Sequence, residues 1–437
     1  MESHLKSEAA PTQRAARLRA ALVTPGLMAF LGSSRIRDHP HRAYRLLQRR
    51  DPIHRSPFGF WVLSRHAEVS AALRHPGLGV DPGAIDPALL RIGPLRRLLD
   101  RPAPSTVGPG AFLDMSEGLL LFRDPPDHTR LRGLVSRAFT PRQMARLEGR
   151  IAELTADLLA PLRHRRGRFD LMAELAYPLP ARVICELIGL PPEDHELIAT
   201  HGQDLAVGLD PLPSGDELRR ADRAVAALRH HLAEPIRSRR AAPRDDLLSA
   251  LVQAEADGDR LDHDELVATV VLLLIAGHET TANLIGNAVA LLDRHPDQRQ
   301  ALRDRPELAE TAVDELLRYE PPVQMTQRNA LVDVELAGRT IPAGSIVILL
   351  TGAANRDPDV FPDPRRLDLA RTPNPHLAFG GGAHFCLGAA LARMEGRIAL
   401  PALYRALPGL RVAGRRPTHR SSFVIRGYGA LPVELAR

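Results

Sequence analysis

Hydrophobic and polar positions change period along the chain, and the changes outline its elements. Ile53-His54-Arg55 and Gly59-Phe60-Trp61-Val62-Leu63 flank Ser56-Pro57-Phe58 and predict a strand hairpin. Ser64 is placed to cap a following helix that closes near His75-Pro76. From Gly77 to Gly118 glycine and proline are frequent and the period is weak. A long irregular segment in a compact domain is more often functional than idle. From Asp124-Pro125-Pro126-Asp127 to about Pro296 the helical period dominates, broken at Tyr177-Pro178, Pro191-Pro192 and Asp210-Pro211. Asp262 and Glu265 have the spacing of a capping box that opens a long helix. Val332-Asp333-Val334-Glu335-Leu336 alternates, turns at Ala337-Gly338, and returns through Thr340-Ile341 to Ser345–Leu349, predicting a second small sheet. The pattern is mostly α with minor β.

Length alone allows two or three domains in 437 residues, but no compositional break, linker or repeat divides them. One large domain over residues 33–437 is expected, preceded by a poorly ordered, Arg- and Ala-rich extension over 1–32. That extension has no apolar run ahead of a small-residue cleavage site. The net charge of +6 comes almost wholly from arginine, Lys6 being the only lysine. The arginines are scattered among acidic residues without interleaved aromatics, which argues against nucleic acid and for an acidic protein partner. The most apolar window, Leu266 to Gly277, runs into His278-Glu279. Crossing a bilayer takes roughly 20 apolar residues, so this window predicts a buried helix in a soluble protein, with no membrane span.

Two cysteines, Cys185 and Cys386, occur without C-x-x-C or C-x-x-C-H spacing. That removes a disulfide framework, a cysteine zinc site and covalent c-type haem attachment, and unpaired cysteines fit the cytoplasm. Cys185 lies in an apolar helical stretch and reads as core. Cys386 lies in Phe379-Gly380-Gly381-Gly382-Ala383-His384-Phe385-Cys386-Leu387-Gly388, ahead of the helical Ala389–Glu395. Consecutive glycines allow a tight turn that can lie flat against a planar ligand. A thiolate near a helix N-terminus is stabilised by free amides and the dipole, and suits an axial position of haem iron.

A second constellation is Ala276-Gly277-His278-Glu279-Thr280-Thr281, polar groups in the middle of the apolar helix. Buried polar groups must be hydrogen-bonded, and Gly277 costs about 1 kcal/mol relative to alanine, so something is expected to approach the backbone closely. H-E-x-x-H zinc chemistry fails because Ala282 occupies the second ligand position. Glu315-Leu316-Leu317-Arg318 sets opposite charges at i and i+3, and His128 and Arg132 stand at i and i+4.

Together the F-G-x-G-x-H-x-C-x-G loop, A-G-x-E-T-T, E-x-x-R and H-T-x-x-R, in this chain order, resemble the bacterial branch of the cytochrome P450 family over about Pro52 to Val433. The resemblance implies the P450 fold with haem b buried non-covalently between long helices. It implies Cys386 as the iron ligand, with Phe379, Gly380, Gly388 and Ala276 against the cofactor. His128, Arg132, Arg328 and His384 correspond to contacts of the haem propionates, whose burial requires cations. Glu279 is implied as the acid and Thr280 as the alcohol that deliver protons during oxygen activation without flooding the site with water. Glu315, Arg318 and Arg371 are implied to support the loop from behind. The implied activity is a monooxygenase acting on an apolar small molecule, with electrons from NAD(P)H through ferredoxin and its reductase. A peroxide-driven peroxygenase and a haem gas sensor or carrier remain alternatives. Arg130, Arg137, Arg393 and Arg397 are a candidate acidic-partner docking face on a monomer. Pocket walls are expected from Asp81–Gly118, Gly202–Ser214, Ala276, Val323, Gln324, Phe423 and Val424, with fatty acid, terpenoid, macrolide and carrier-tethered substrates all compatible.

Overall fold

The computed structural model describes residues 38–90, 110–138, 141–208, 210, 213–253, 255–256, 259–414, 417–420 and 422–435. The expected 1–32 extension, and parts of the expected Asp81–Gly118 and Gly202–Ser214 walls, lie outside the described residues.

The helix His263–Asp293 runs through the middle. It is apolar nearly all round, the signature of a helix buried on every side. Asp262 and Glu265 close the expected capping box, each side chain bonded to the other's amide. By length and composition this helix could cross a bilayer, yet most of its apolar window is buried against protein. Pro178–Ile188, His195–Gly208 and Ala389–Ala406 pack against it. The largest buried apolar cluster gathers round it, from Ala111 to Val433.

A smaller five-stranded sheet stands beside the helices, in the order Ile53–Arg55, Trp61–Leu63, Ile346–Leu349, Thr326–Ala330, Leu78–Gly79. The expected hairpin is its edge, with Arg55 opposite Trp61. The second sheet divides differently from the sequence expectation. Val334–Leu336 and Arg339–Ile341 form a hairpin turned by left-handed Ala337 and Gly338, but Ile346–Leu349 leaves it to pair with Trp61–Leu63 and Thr326–Ala330. Its Ile346, Val347 and Leu349 are buried, a demand met by strands on both sides of it in the five-stranded sheet. Ser64 is not the predicted cap. The helix His66–Arg74 starts after Arg65, and its first amide donates to Asp357 Oδ2 at 2.8 Å, a partner supplied from far along the chain.

Candidate active site

The Cys386 loop is shaped by backbone geometry. Cys386 N donates to Phe379 O at 2.9 Å, and Gly382–His384 forms a single tight turn. Gly380 and Gly382 have φ of 72° and 66°, the left-handed region that favours glycine. A side chain at 382 would also meet the Leu73 carbonyl oxygen at 2.4 Å. The glycine run is therefore required by the end of the His66–Arg74 helix as well as by its own turn. The helix Ala389–Ala406 begins three residues after Cys386, whose side chain keeps accessible surface. Burial pushes the Cys386 thiol up, against the Gly388 amide, Arg132 and Arg393, which lower it.

Behind the loop lies a buried ion cluster. Arg318 and Glu315 are both fully buried, paired at 2.6 and 2.8 Å, and Arg371 Nε joins Glu315 at 3.1 Å. Asn374 Nδ2 and the Asp368 amide complete the carboxylate's shell. Arg318 also donates to Asn355 O at 3.0 Å, and Asn355 Oδ1 accepts the Leu377 amide at 2.7 Å. That chain carries the cluster's rigidity to the start of the cysteine loop. Asp314 adds a second brace, bonded to His376 and Arg393, while Arg393 lies over the Phe379 ring at 4.4 Å. Asn355, Asn374 and Asp314 were not singled out from the sequence, where nothing in their spacing marks them.

On the loop's other side four basic groups converge. The His128 and His384 rings are 4.1 Å apart, and Arg132 Nη2 donates to Phe385 O at 2.7 Å. His384 is pushed down to about 3 by burial and by His128, Arg328 and Arg132. Burial and Arg132 lower His128 as well, and burial takes Arg328 down to about 10. The acid beside them, Asp124, already accepts the Val80 and Asp81 amides. His128 Nε2 is buried without a protein partner. A group bearing carboxylates would supply these buried basic groups with acceptors and opposite charge, so the residues present fit a haem with its propionates.

Along the long helix, Ala276, Thr280 and Leu284 form one i, i+4 stripe. Leu284 meets the cysteine helix at Gly396, and Ala276 keeps accessible surface in mid-helix. Thr280 Oγ1 donates to Ala276 O at 2.7 Å. Gly277 lies close against the neighbouring helix, since a Cβ there would stand 3.0 Å from Ile184 Cδ1, which would have to move by a few tenths of an ångström. Glu279 is fully buried on a different face, with Asn283 Nδ2 at 2.9 Å from Oε1 and Arg420 Nη2 bonded to the same oxygen. Arg420 lies 141 residues away in sequence, and no local pattern could have found it. His278 is sealed between this helix and Gly202, close to the Tyr177 ring, and burial followed by Arg420 takes it down to about 4.

Other expectations are redirected. Gln324 is buried, accepts from Tyr44 OH at 3.2 Å and donates to Pro321 O at 2.7 Å, so it braces the His41–Arg50 helix. A buried amide facing a fixed hydroxyl and carbonyl has its bonds already made. Val323 bridges Ile425, and Phe423 and Val424 are half-buried apolar groups beside them. Arg130, Arg393 and Arg397 are paired with Glu265, Asp314 and Glu310. The Arg137 side chain lies outside the described residues.

Comparison with known proteins agrees with this geometry. Residues 209–407 match the family described as Cytochrome P450. The chain is 42% identical to the Vitamin D(3) 25-hydroxylase of Pseudonocardia autotrophica, over 95% of this chain and 98% of that one. It is 44% identical to Cytochrome P450 monooxygenase PikC of Streptomyces venezuelae, over 73% and 76% respectively. Its fold superposes on the solved structure of P450BioI in complex with hexadec-9Z-enoic acid ligated acyl carrier protein, with a TM-score of 0.82, 36% identity, and coverage of 92% of this chain and 100% of that one.

Proposed function

The chain belongs to the cytochrome P450 family and is a haem monooxygenase, and on that footing we propose the roles of its residues. Cys386 is the thiolate ligand of a non-covalent haem b. His128, Arg132, Arg328 and His384 hold its propionates, while Phe379, Gly380 and Gly388 line its proximal side and Ala276 its distal side. The observation that carries this reading is the convergence beside the Cys386 loop of the His128 and His384 rings 4.1 Å apart, with Arg132 bonded to Phe385 O and His128 Nε2 buried without a protein partner. When bound, haem supplies oxygen activation, and a thiolate ligand favours O–O cleavage.

The protein's own part is proton control and exclusion of water. Thr280 holds its hydroxyl proton against the Ala276 carbonyl, and releasing that bond turns the proton toward the reaction side. Glu279 waits one residue earlier with one carboxylate oxygen anchored. Glu315, Arg318 and Arg371 fix the loop that carries Cys386, so the sulfur cannot drift. This acid–alcohol pair favours the monooxygenase over a peroxide-driven route, which needs no delivered protons.

Electrons come from NAD(P)H through a ferredoxin and its reductase, to a soluble, cytoplasmic monomer. The substrate is an apolar small molecule, a class supported by the half-buried Val323, Phe423 and Val424 and by the named relatives. The test is reconstitution: reduced, haem-loaded protein exposed to carbon monoxide shows the long-wavelength thiolate band, and product forms with NAD(P)H, ferredoxin and reductase. A histidine-type spectrum, or turnover with peroxide alone, overturns the assignment.

A further inference from the structure

We propose that Arg420, on the C-terminal segment, is a positioning residue that holds the Glu279 carboxylate, ionised at rest, by one oxygen, so that the other takes up a solvent-derived proton and passes it on; this rests on the role given to Glu279 above. Glu279 has no exposure at all, and an ionised carboxylate in such a place requires a partner of opposite charge. Arg420 is that partner, through Nη2 to Oε1, and it also reaches Asn283 Oδ1 at 3.3 Å. Asn283 Nδ2 bonds the same Oε1 at 2.9 Å. Both donors therefore grip one oxygen. The other, Oε2, is buried with no protein partner. The carboxylate is thus divided into an anchored atom and a free one.

The arginine is itself held in place. Its amide donates to Gly427 O at 2.9 Å, closing a loop against the long helix. Position 427 tolerates only glycine, because a Cβ would stand 1.6 Å from Asn283 Oδ1. The same segment is tied down by Asn287 Nδ2 to Arg426 O at 3.0 Å and by Tyr177 OH to Tyr428 O at 3.0 Å. The charge of Arg420 reaches further into the interior, where it bears on His278 and Tyr177. Such prepaid orientation is what a proton-delivering group requires. A residue that merely fastened the C-terminal segment would not need its guanidinium on a buried catalytic acid.

The test uses Arg420→Met, Arg420→Lys, Glu279→Gln and the double variant Arg420→Met/Glu279→Gln. Infrared difference spectra against the Glu279→Gln background report whether this carboxyl is ionised, in protein with or without haem. Wild type shows only the carboxylate band, and Arg420→Met gains a protonated-carboxyl band that Arg420→Lys suppresses. Acid–base groups contribute about 10²–10⁴-fold, so product per NAD(P)H falls about tenfold or more in Arg420→Met, with peroxide rising in its place. The double variant is no worse than Glu279→Gln alone. The inference is overturned if Arg420→Met keeps an ionised Glu279 and couples as wild type does, or if the two losses multiply. Should Arg420→Met fail to hold haem, the infrared measurement on the unloaded protein and the Lys variant still decide. Unimpaired coupling in Glu279→Gln, where Arg420 is intact, would instead remove Glu279 from the mechanism and take this role with it.

Discussion

Replacing Arg318 by methionine keeps most of the stem's volume and deletes the most deeply buried charge beneath the cysteine loop. Its partner Glu315 is equally buried, at 0% exposure. Removing one side of a buried pair costs about 3–5 kcal/mol, because the other charge is left behind. Here Arg371, Asn374 and the Asp368 amide still hold Glu315, which softens that loss. The carbonyls of Asn355 and Pro364 lose their donor as well, at 3.0 and 3.1 Å, while Arg366 O keeps Arg371 Nη2 at 3.3 Å. Each unsatisfied buried acceptor costs about 1 kcal/mol or more, so the total comes to about 5 kcal/mol. Whole domains are stable by about 5–15 kcal/mol, so the variant should sit near the folding threshold. Urea unfolding of haem-free protein, followed by far-UV circular dichroism, measures the loss, and haem content after loading gives its consequence. Arg371→Met is the internal control: its side chain is 11% exposed and Arg318 stays on Glu315, so about 1–2 kcal/mol is expected. A loss within about 2 kcal/mol for Arg318→Met, or equal losses for the two variants, would refute the argument.

Three further outcomes are expected. Cys386→Ala loses the thiolate-type carbon monoxide spectrum; an unchanged spectrum would remove the sulfur from the ligand position. Thr280→Ala still consumes reducing equivalents but diverts them to peroxide, measured as peroxide formed per NAD(P)H oxidised. His278, lowered to about 4 when folded against about 6.5 unfolded, binds fewer protons in the folded state between those values. Its contribution is therefore complete above about 6.5 and fades as pH falls toward about 4, by up to about 3 kcal/mol. His278→Phe should lessen the slope over that window, to which His41, His128 and His384 also contribute, and a slope as steep as wild type would remove His278 from the acid loss.

Much of the fold was legible because local rules operate within one element. The Asp262–Glu265 capping box, the Ile53–Leu63 hairpin and the i, i+3 pairing of Glu315 with Arg318 each need only neighbouring residues. Where a partner comes from elsewhere, the local rule failed. Ser64 looks like a cap, but Asp357 supplies the bond. Gly277 suggested a close approach, and the group that approaches is the Ile184 side chain.

Residue chemistry and order along the chain were sufficient for the family and the haem that it implies, because loop, helix and motif spacing are properties of contiguous segments. The allocation of charges was not. Arg393 and Arg397 are consumed by Asp314 and Glu310, and Glu279 is taken up by Arg420 across 141 positions. A buried charge takes whichever opposite charge packing brings within reach, and that distance is set by the way helices and C-terminal segment meet in space.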